Sequence, residues 1–215
     1  MMIARRLRRG MACVLLLLIG SIAVPAFRHS ILRAAGWMLV INDGIGPADI
    51  IVVSGEADGA GVLEASDLFH SGVATRVAVF SYTRDVVEQE FTRRGVSYQD
   101  KTARFVAELR SLGVSNVEQI PIYITGTESE GPALARWCDE QRFHSVVVVG
   151  TRDHSRRLRR VLYRSLTGYQ TKVAVCSSRY SRFDPDRWWS SRDGVRTEIM
   201  ESEKLLLDIL RHPIS

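Results

Sequence analysis

The sequence predicts an α/β fold: a Rossmann-like, doubly wound, mostly parallel five-stranded sheet preceded by an N-terminal transmembrane helix. Three observations carry this. Continuous apolar runs such as Ile50-Ile51-Val52-Val53 and Val146-Val147-Val148-Val149 read as strands buried on both faces. They alternate with stretches of helical apolar spacing, the pattern of parallel strands joined by right-handed crossovers. Ahead of them, an apolar run from Met11 to Phe27 follows four arginines.

That run is the first element, with Leu15-Leu16-Leu17-Leu18 at its centre. As a helix it spans roughly 25 Å, close to a bilayer core. Arg5, Arg6, Arg8 and Arg9 hold the N-terminus in the cytoplasm and send the downstream chain outward. The reading is a basic cytoplasmic tail at 1–10, a transmembrane anchor at 11–28 and a connecting helix and turn at 29–46. A cleaved signal peptide is the alternative, because Val24-Pro25-Ala26 sets small residues at a suitable spacing. The semi-apolar stretch Ile31–Ile41, directly after the run, favours the anchor. Both readings put the domain at 47–213 outside the cytoplasm. The anchor makes the chain a single-pass protein of the plasma (inner) membrane.

After the turn cluster Asn42–Pro47, strands are expected at Asp49–Ser54, Arg76–Ser81, Ile120–Thr125, His144–Gly150 and Thr171–Cys176. Helices are expected at Gly61–Ser71, Arg84–Arg94, Lys101–Leu112, Glu128–Gln141, Ser155–Leu166 and Arg192–Leu210. The chain holds 29 Lys+Arg against 24 Asp+Glu. Five arginines and no acid lie in residues 1–28, which leaves 24 against 24 in the rest. A body without net basic charge argues against a nucleic-acid partner. Cys138 and Cys176 read as buried thiols, with a bridge in an oxidising compartment as the alternative. No Cys or His spacing suits a metal, so no metal ligand is assigned. The sequence names no cofactor and no oligomeric state.

The junction Val146–Arg157 is the most informative segment. Ligands of open α/β sheets bind beyond the carboxyl ends of the strands. A helix N-terminus at such an end suits an anion. His154 falls in the first helical turn on the core side, Arg157 on the border, and Arg156 and Arg160 on the face expected to be solvated. Four predicted strand ends share this edge: Ser54-Gly55-Glu56, Ser81-Tyr82-Thr83, Thr125–Glu130 and Thr151–His154. Their hydroxyls suit a phosphate, although Ser, Thr and Asp here also serve as ordinary N-caps. Glu130 and His154 form a base and acid pair if they face each other. Gly55–Gly61 fits neither the dinucleotide fingerprint nor a P-loop, and no serine nucleophile elbow is present. Trp188-Trp189 is expected as a packing lid against the sheet, with a membrane surface as the alternative. Glu201 and Lys204 read as a helix-surface pair.

Taken together, Pro47–Val53, Glu64–Gly72, Thr127-Glu128-Ser129-Glu130, Thr151–Arg157 and the closing Trp188-Trp189 with Glu201 and Lys204 resemble the YdcF-like (SanA/ElyC) family of bacterial cell-envelope proteins. The Thr-x-x-His-x-x-Arg segment is the most specific part, and the resemblance spans roughly residues 30–210. It implies a role in envelope integrity, through peptidoglycan or lipid-carrier metabolism. It also implies that Gly55, Ser81, Thr127, Glu130, Thr151, His154 and Arg157 line one crevice. Two departures stand out. The Gly-Gly run that the family has after its first strand is here Ser54-Gly55-Glu56, with no Arg on the next helix. The Ser-Gly-Gly after the second strand is Ser81-Tyr82-Thr83.

The expected function is therefore an anchored envelope protein that binds or processes an anionic intermediate such as a lipid-linked phosphate. His154 and Glu130 would be its catalytic pair, Arg157 the anion contact, and Thr127 and Thr151 hydroxyl donors. The alternative is a non-catalytic scaffold or regulator whose crevice is partly degenerate. A nucleotide- or S-adenosylmethionine-type binder rests on fold analogy alone.

Overall fold

A computed structural model describes residues 25–96 and 100–213. The basic tail and nearly all of the expected anchor lie outside the described residues. No helix among the described residues is long and apolar enough to cross a membrane.

The five apolar runs form the strands β1 (Ile50–Val53), β2 (Val77–Tyr82), β3 (Val117–Ile124), β4 (Ser145–Gly150) and β5 (Lys172–Ser177). All pairings are parallel, in the order β3-β2-β1-β4-β5. The helices are α1 (Pro25–Leu39), α2 (Asp58–His70), α3 (Val86–Arg93), α4 (Lys101–Ser111), α5 (Thr127–Gln141), α6 (Ser155–Ser165) and α7 (Arg192–Arg211). This is a Rossmann-like α/β fold.

Strand residues alternate between two cores. Ile51, Val53, Val77 and Val79 meet Val62 and Ala65 of α2 and Phe105 and Leu109 of α4. Ile50, Val52, Phe80 and Val148 meet Leu134 and Trp137 of α5 and Leu158 and Leu162 of α6. The sheet is thus covered on both faces, which is why its strands are apolar throughout rather than alternating. Cys138 and Cys176 sit in these separate cores, on opposite faces, as two free thiols. Burial pushes both up to about 12.

A third layer lies outside α6. The segment read as a connector, residues 29–46, packs onto the domain. Arg33 pairs with Asp186 at 2.8 Å, and Trp188 Nε1 donates to the Leu32 carbonyl at 2.7 Å. A Cβ at Gly36 would lie 2.4 Å from the Pro185 carbonyl oxygen, so this close crossing requires glycine. Asp43 accepts from the Val175 N–H and pairs with Arg159, which fastens the segment to β5 and α6. Trp188 therefore packs on α1, and Trp189 stacks on His29, instead of lying over the sheet. The expected lid is a clamp on the N-terminal helix, because the third layer stands in between.

Candidate functional site

In an all-parallel sheet every strand ends on the same edge. The chain runs from β1 outward to β3, then returns to β4 beside β1. The crevice between β1 and β4 is the topological switch point, where open α/β sheets hold ligands. A cleft of about 650 Å3 lies there, lined among others by Asp58, Arg104, Thr151, Asp153, Arg182 and Thr197. A smaller pocket of about 240 Å3 lies between α5, α6 and α7, and Arg157 is in its wall.

Glu130 comes from the first turn of α5 and is fully buried. Its carboxyl accepts from Ser54 Oγ at 3.2 Å and from the Gly55 N–H at 3.3 Å. Burial raises it to about 7, against the pull of those two bonds and of Arg157. The Gly55 carbonyl accepts from Lys101 Nζ at 2.7 Å, so this one residue joins Glu130 to Lys101. A Cβ at Gly55 would press on Ile124 at 3.0 Å.

Ser81 is engaged inward. Its hydroxyl donates to the Ile120 carbonyl at 2.6 Å and accepts from Gln119 Nε2 at 2.9 Å. The register between β2 and β3 slips at Phe80/Ser81, and the Ser81 hydroxyl satisfies the Ile120 carbonyl there. Tyr82, the next residue, turns its ring toward Gly55, and its hydroxyl is buried with no partner. Burial holds that phenol far above its ordinary range. Thr127 is buried at the first position of α5.

His154 occupies the N-cap position of α6 and is buried. Its Nδ1 lies 2.9 Å from Thr151 Oγ1, and its Nε2 has no partner. Burial first, then the charges of Arg157 and Lys204, lower it to about 3, so the ring is neutral. Burial raises the nearby Asp153 carboxyl, and the Thr151 hydroxyl works in the opposite direction. The neutral ring has two tautomers: with the proton on Nδ1, Thr151 accepts from it; with the proton on Nε2, Thr151 donates to Nδ1. Nε2 is accordingly a hydrogen-bond acceptor in the first tautomer and, in the second, an N–H donor able to meet a phosphate oxygen. No hydrogen bond joins His154 to Glu130; Arg157 acts electrostatically on both.

Arg157 is buried, donates to Glu201 at 3.3 Å, and leaves Nε without a partner. The other Glu201 oxygen accepts from Lys204 at 2.6 Å. Glu201 is thus a buried link between two cations, where the sequence suggested an exposed pair. Arg156 and Arg160 are not a solvated face either. Arg156 donates to the Met38 and Val40 carbonyls, and Arg160 pairs with Asp208 at 2.5 Å. The cause is again the third layer: α1 and α7 cover the side of α6 that a two-layer reading leaves to water.

The structure therefore brings Gly55, Glu130, His154 and Arg157 into one buried polar group at the β1–β4 edge. Thr151 stands between that group and the larger cleft, and Ser81 faces away. Lys101, Tyr82, Glu201 and Lys204 belong to the same neighbourhood and were not assigned to it from sequence. Lys101 did leave a signal: a cation directly after the cap Asp100 opposes the helix dipole, so its placement needs another cause. Among the described residues, Glu128, Asp208 and His212 bring possible metal-ligand atoms within 4.8 Å of one another. The two oxygens of Asp208 already meet Arg160 and Arg164, however, which marks an ion-pair network.

No protein-family model and no curated protein matches the chain. Solved structures give distant likenesses. A universal stress protein in complex with cAMP is 14% identical, with a TM-score of 0.37 over 63% of this chain and 100% of that one. The universal stress protein from Archaeoglobus fulgidus in complex with dAMP is 15% identical, at 0.35 over the same shares. An aureusimine biosynthetic cluster reductase domain is 10% identical, at 0.30 over 67% of this chain and 53% of that one. These likenesses concern the α/β fold alone.

Proposed function

We propose that this chain is a membrane-anchored, extracytoplasmic protein of the bacterial cell envelope, akin to the YdcF-like family, that binds or processes a phosphate-bearing envelope intermediate. The supporting observation is the buried polar group at the β1–β4 switch point, where His154 Nε2 and Arg157 Nε have no partners. A buried, unpaired polar atom costs about 1–3 kcal/mol. A ligand that supplies partners relieves that cost, and switch-point crevices are where such ligands bind.

In this reading Arg157 is the anion contact. His154, neutral, offers its partnerless Nε2 to the ligand, as a hydrogen-bond acceptor or as an N–H donor according to its tautomer. Thr151 fixes the ring through Nδ1, at 2.9 Å. Glu130, raised to about 7, exchanges a proton near neutral pH. Thr127 offers a hydroxyl at the start of α5, and Gly55 holds the Glu130 carboxyl through its N–H.

A second reading, a non-catalytic scaffold or regulator, is favoured by the Tyr82 ring beside Gly55 and by the carboxylates Glu56, Asp58 and Asp153 around the larger cleft. The two separate in a complementation experiment under envelope stress, in a host lacking its own YdcF-like protein. Wild type and His154→Ala are compared at equal expression and membrane localisation. Rescue by wild type alone supports the binding or processing role. Equal rescue by both supports the scaffold.

A further inference from the structure

We propose that the pocket of about 240 Å3 between α5, α6 and α7 receives the phosphate monoester of the ligand, on Arg157, Lys204 and Arg211. This rests on the reading above and makes the C-terminal helix half of the anion site.

Four features of the pocket point there. Its volume is below the ~300–1,000 Å3 of sites that enclose a whole small molecule, which suits a head group. Its wall holds Arg157, 8% exposed, whose Nε is an orphan donor. A guanidinium in the wall holds an oxyanion through charge-assisted bonds. Arg211, also in the wall, pairs with no acid among the described residues. Glu128 in the wall belongs to the first turn of α5, the positive end of that helix dipole, which favours an anion.

The charge balance agrees. Two acids line the pocket, Glu128 and Asp208, and Arg164 pairs with both while Arg160 also holds Asp208. Glu201 is shared by Arg157 and Lys204. Across pocket and partners, five cationic side chains meet three carboxylates, which disfavours a divalent cation at Glu128, Asp208 and His212.

The test titrates the full chain in detergent with inorganic phosphate and, separately, with a short-chain prenyl phosphate, followed by phosphorus NMR or calorimetry. Saturable binding is expected, weakened about tenfold or more in both Lys204→Met and Arg211→Ala. Arg211 is exposed, so its variant folds and carries the test if Lys204→Met does not. Tighter binding of the prenyl phosphate would support the pocket as a lipid head-group site, and equal binding as a site for soluble phosphate. Binding unchanged in both variants overturns the pocket, as does no binding of either compound. Saturable Mn2+ binding that is lost in Glu128→Gln, without phosphate binding, overturns it in favour of a cation. The envelope role is decided separately by the His154→Ala rescue, so the two failures are distinguishable.

Discussion

Ser81 and His154 both close a buried strand on the same edge of the sheet, and both come from segments rich in hydroxyls. At the β2 end, the Ser81 hydroxyl donates to Ile120 and accepts from Gln119. At the β4 end, His154 is tied through one ring nitrogen and leaves the other bare, while Arg157 beside it keeps an unpartnered Nε. The difference lies in hydrogen-bond satisfaction rather than in residue type. A buried polar group whose bonds are complete serves the fold; open valences gathered around a buried cation, as at His154 and Arg157, suit an anionic ligand, which the lone unpartnered Tyr82 hydroxyl at the β2 end does not.

The largest effect that would sharpen this contrast comes from Arg157→Met. It leaves Glu201 with Lys204 alone in a buried setting, and the expected loss is about 3 kcal/mol in urea unfolding. A change below about 1 kcal/mol would mean that the pair is solvated and the open end is not truly buried.

Next is pH. His154 is lowered to about 3, while the unfolded chain takes up that proton near ~6.5, so its contribution is lost as pH falls through that window. Glu130 is raised to about 7 from 4.5, so the native state holds a proton that the unfolded chain releases, and stability is lost as pH rises through that window. Between about 4.5 and 6.5 the two slopes oppose, and these groups leave wild type nearly flat. Glu130→Gln removes one of them. Its unfolding free energy should fall by about 1.4 kcal/mol per pH unit on acidification across that window. A flat profile for the variant would show that His154 titrates normally.

Ser81→Ala tests the closed end. It strands Gln119 and the Ile120 carbonyl, and should cost about 1–3 kcal/mol in thermal or urea unfolding. Smallest is Tyr82→Phe. The lost hydroxyl has no partner, so unfolding should show no loss, or a gain of up to about 1 kcal/mol. A clear loss would reveal a bond to the phenol.

The five strands and the place of His154 at a strand-to-helix junction were legible from sequence, because apolar runs and capping residues are local signals. The third layer was not. Arg156 and Arg160 look solvated on a helix projection, and Glu201 and Lys204 look like a surface pair. Only the packing of α1 and α7 over α6 gives them partners. Gly36 carried a trace of that packing, as a glycine inside a helix, but its cause is a contact with Pro185, far along the chain. The direction of the Ser81 hydroxyl depends on a register slip that composition does not encode. The expected anchor lies outside the described residues, and its test is biochemical.

The most direct measurement is the binding isotherm of a short-chain prenyl phosphate to the full chain, compared for wild type, His154→Ala and Ser81→Ala. The expected result is saturable wild-type binding, weakened about tenfold or more in His154→Ala and unchanged in folded Ser81→Ala. Equal weakening in both, or no effect in either, would contradict the claim that the open β1–β4 end holds the ligand and the closed β2–β3 end only holds the fold.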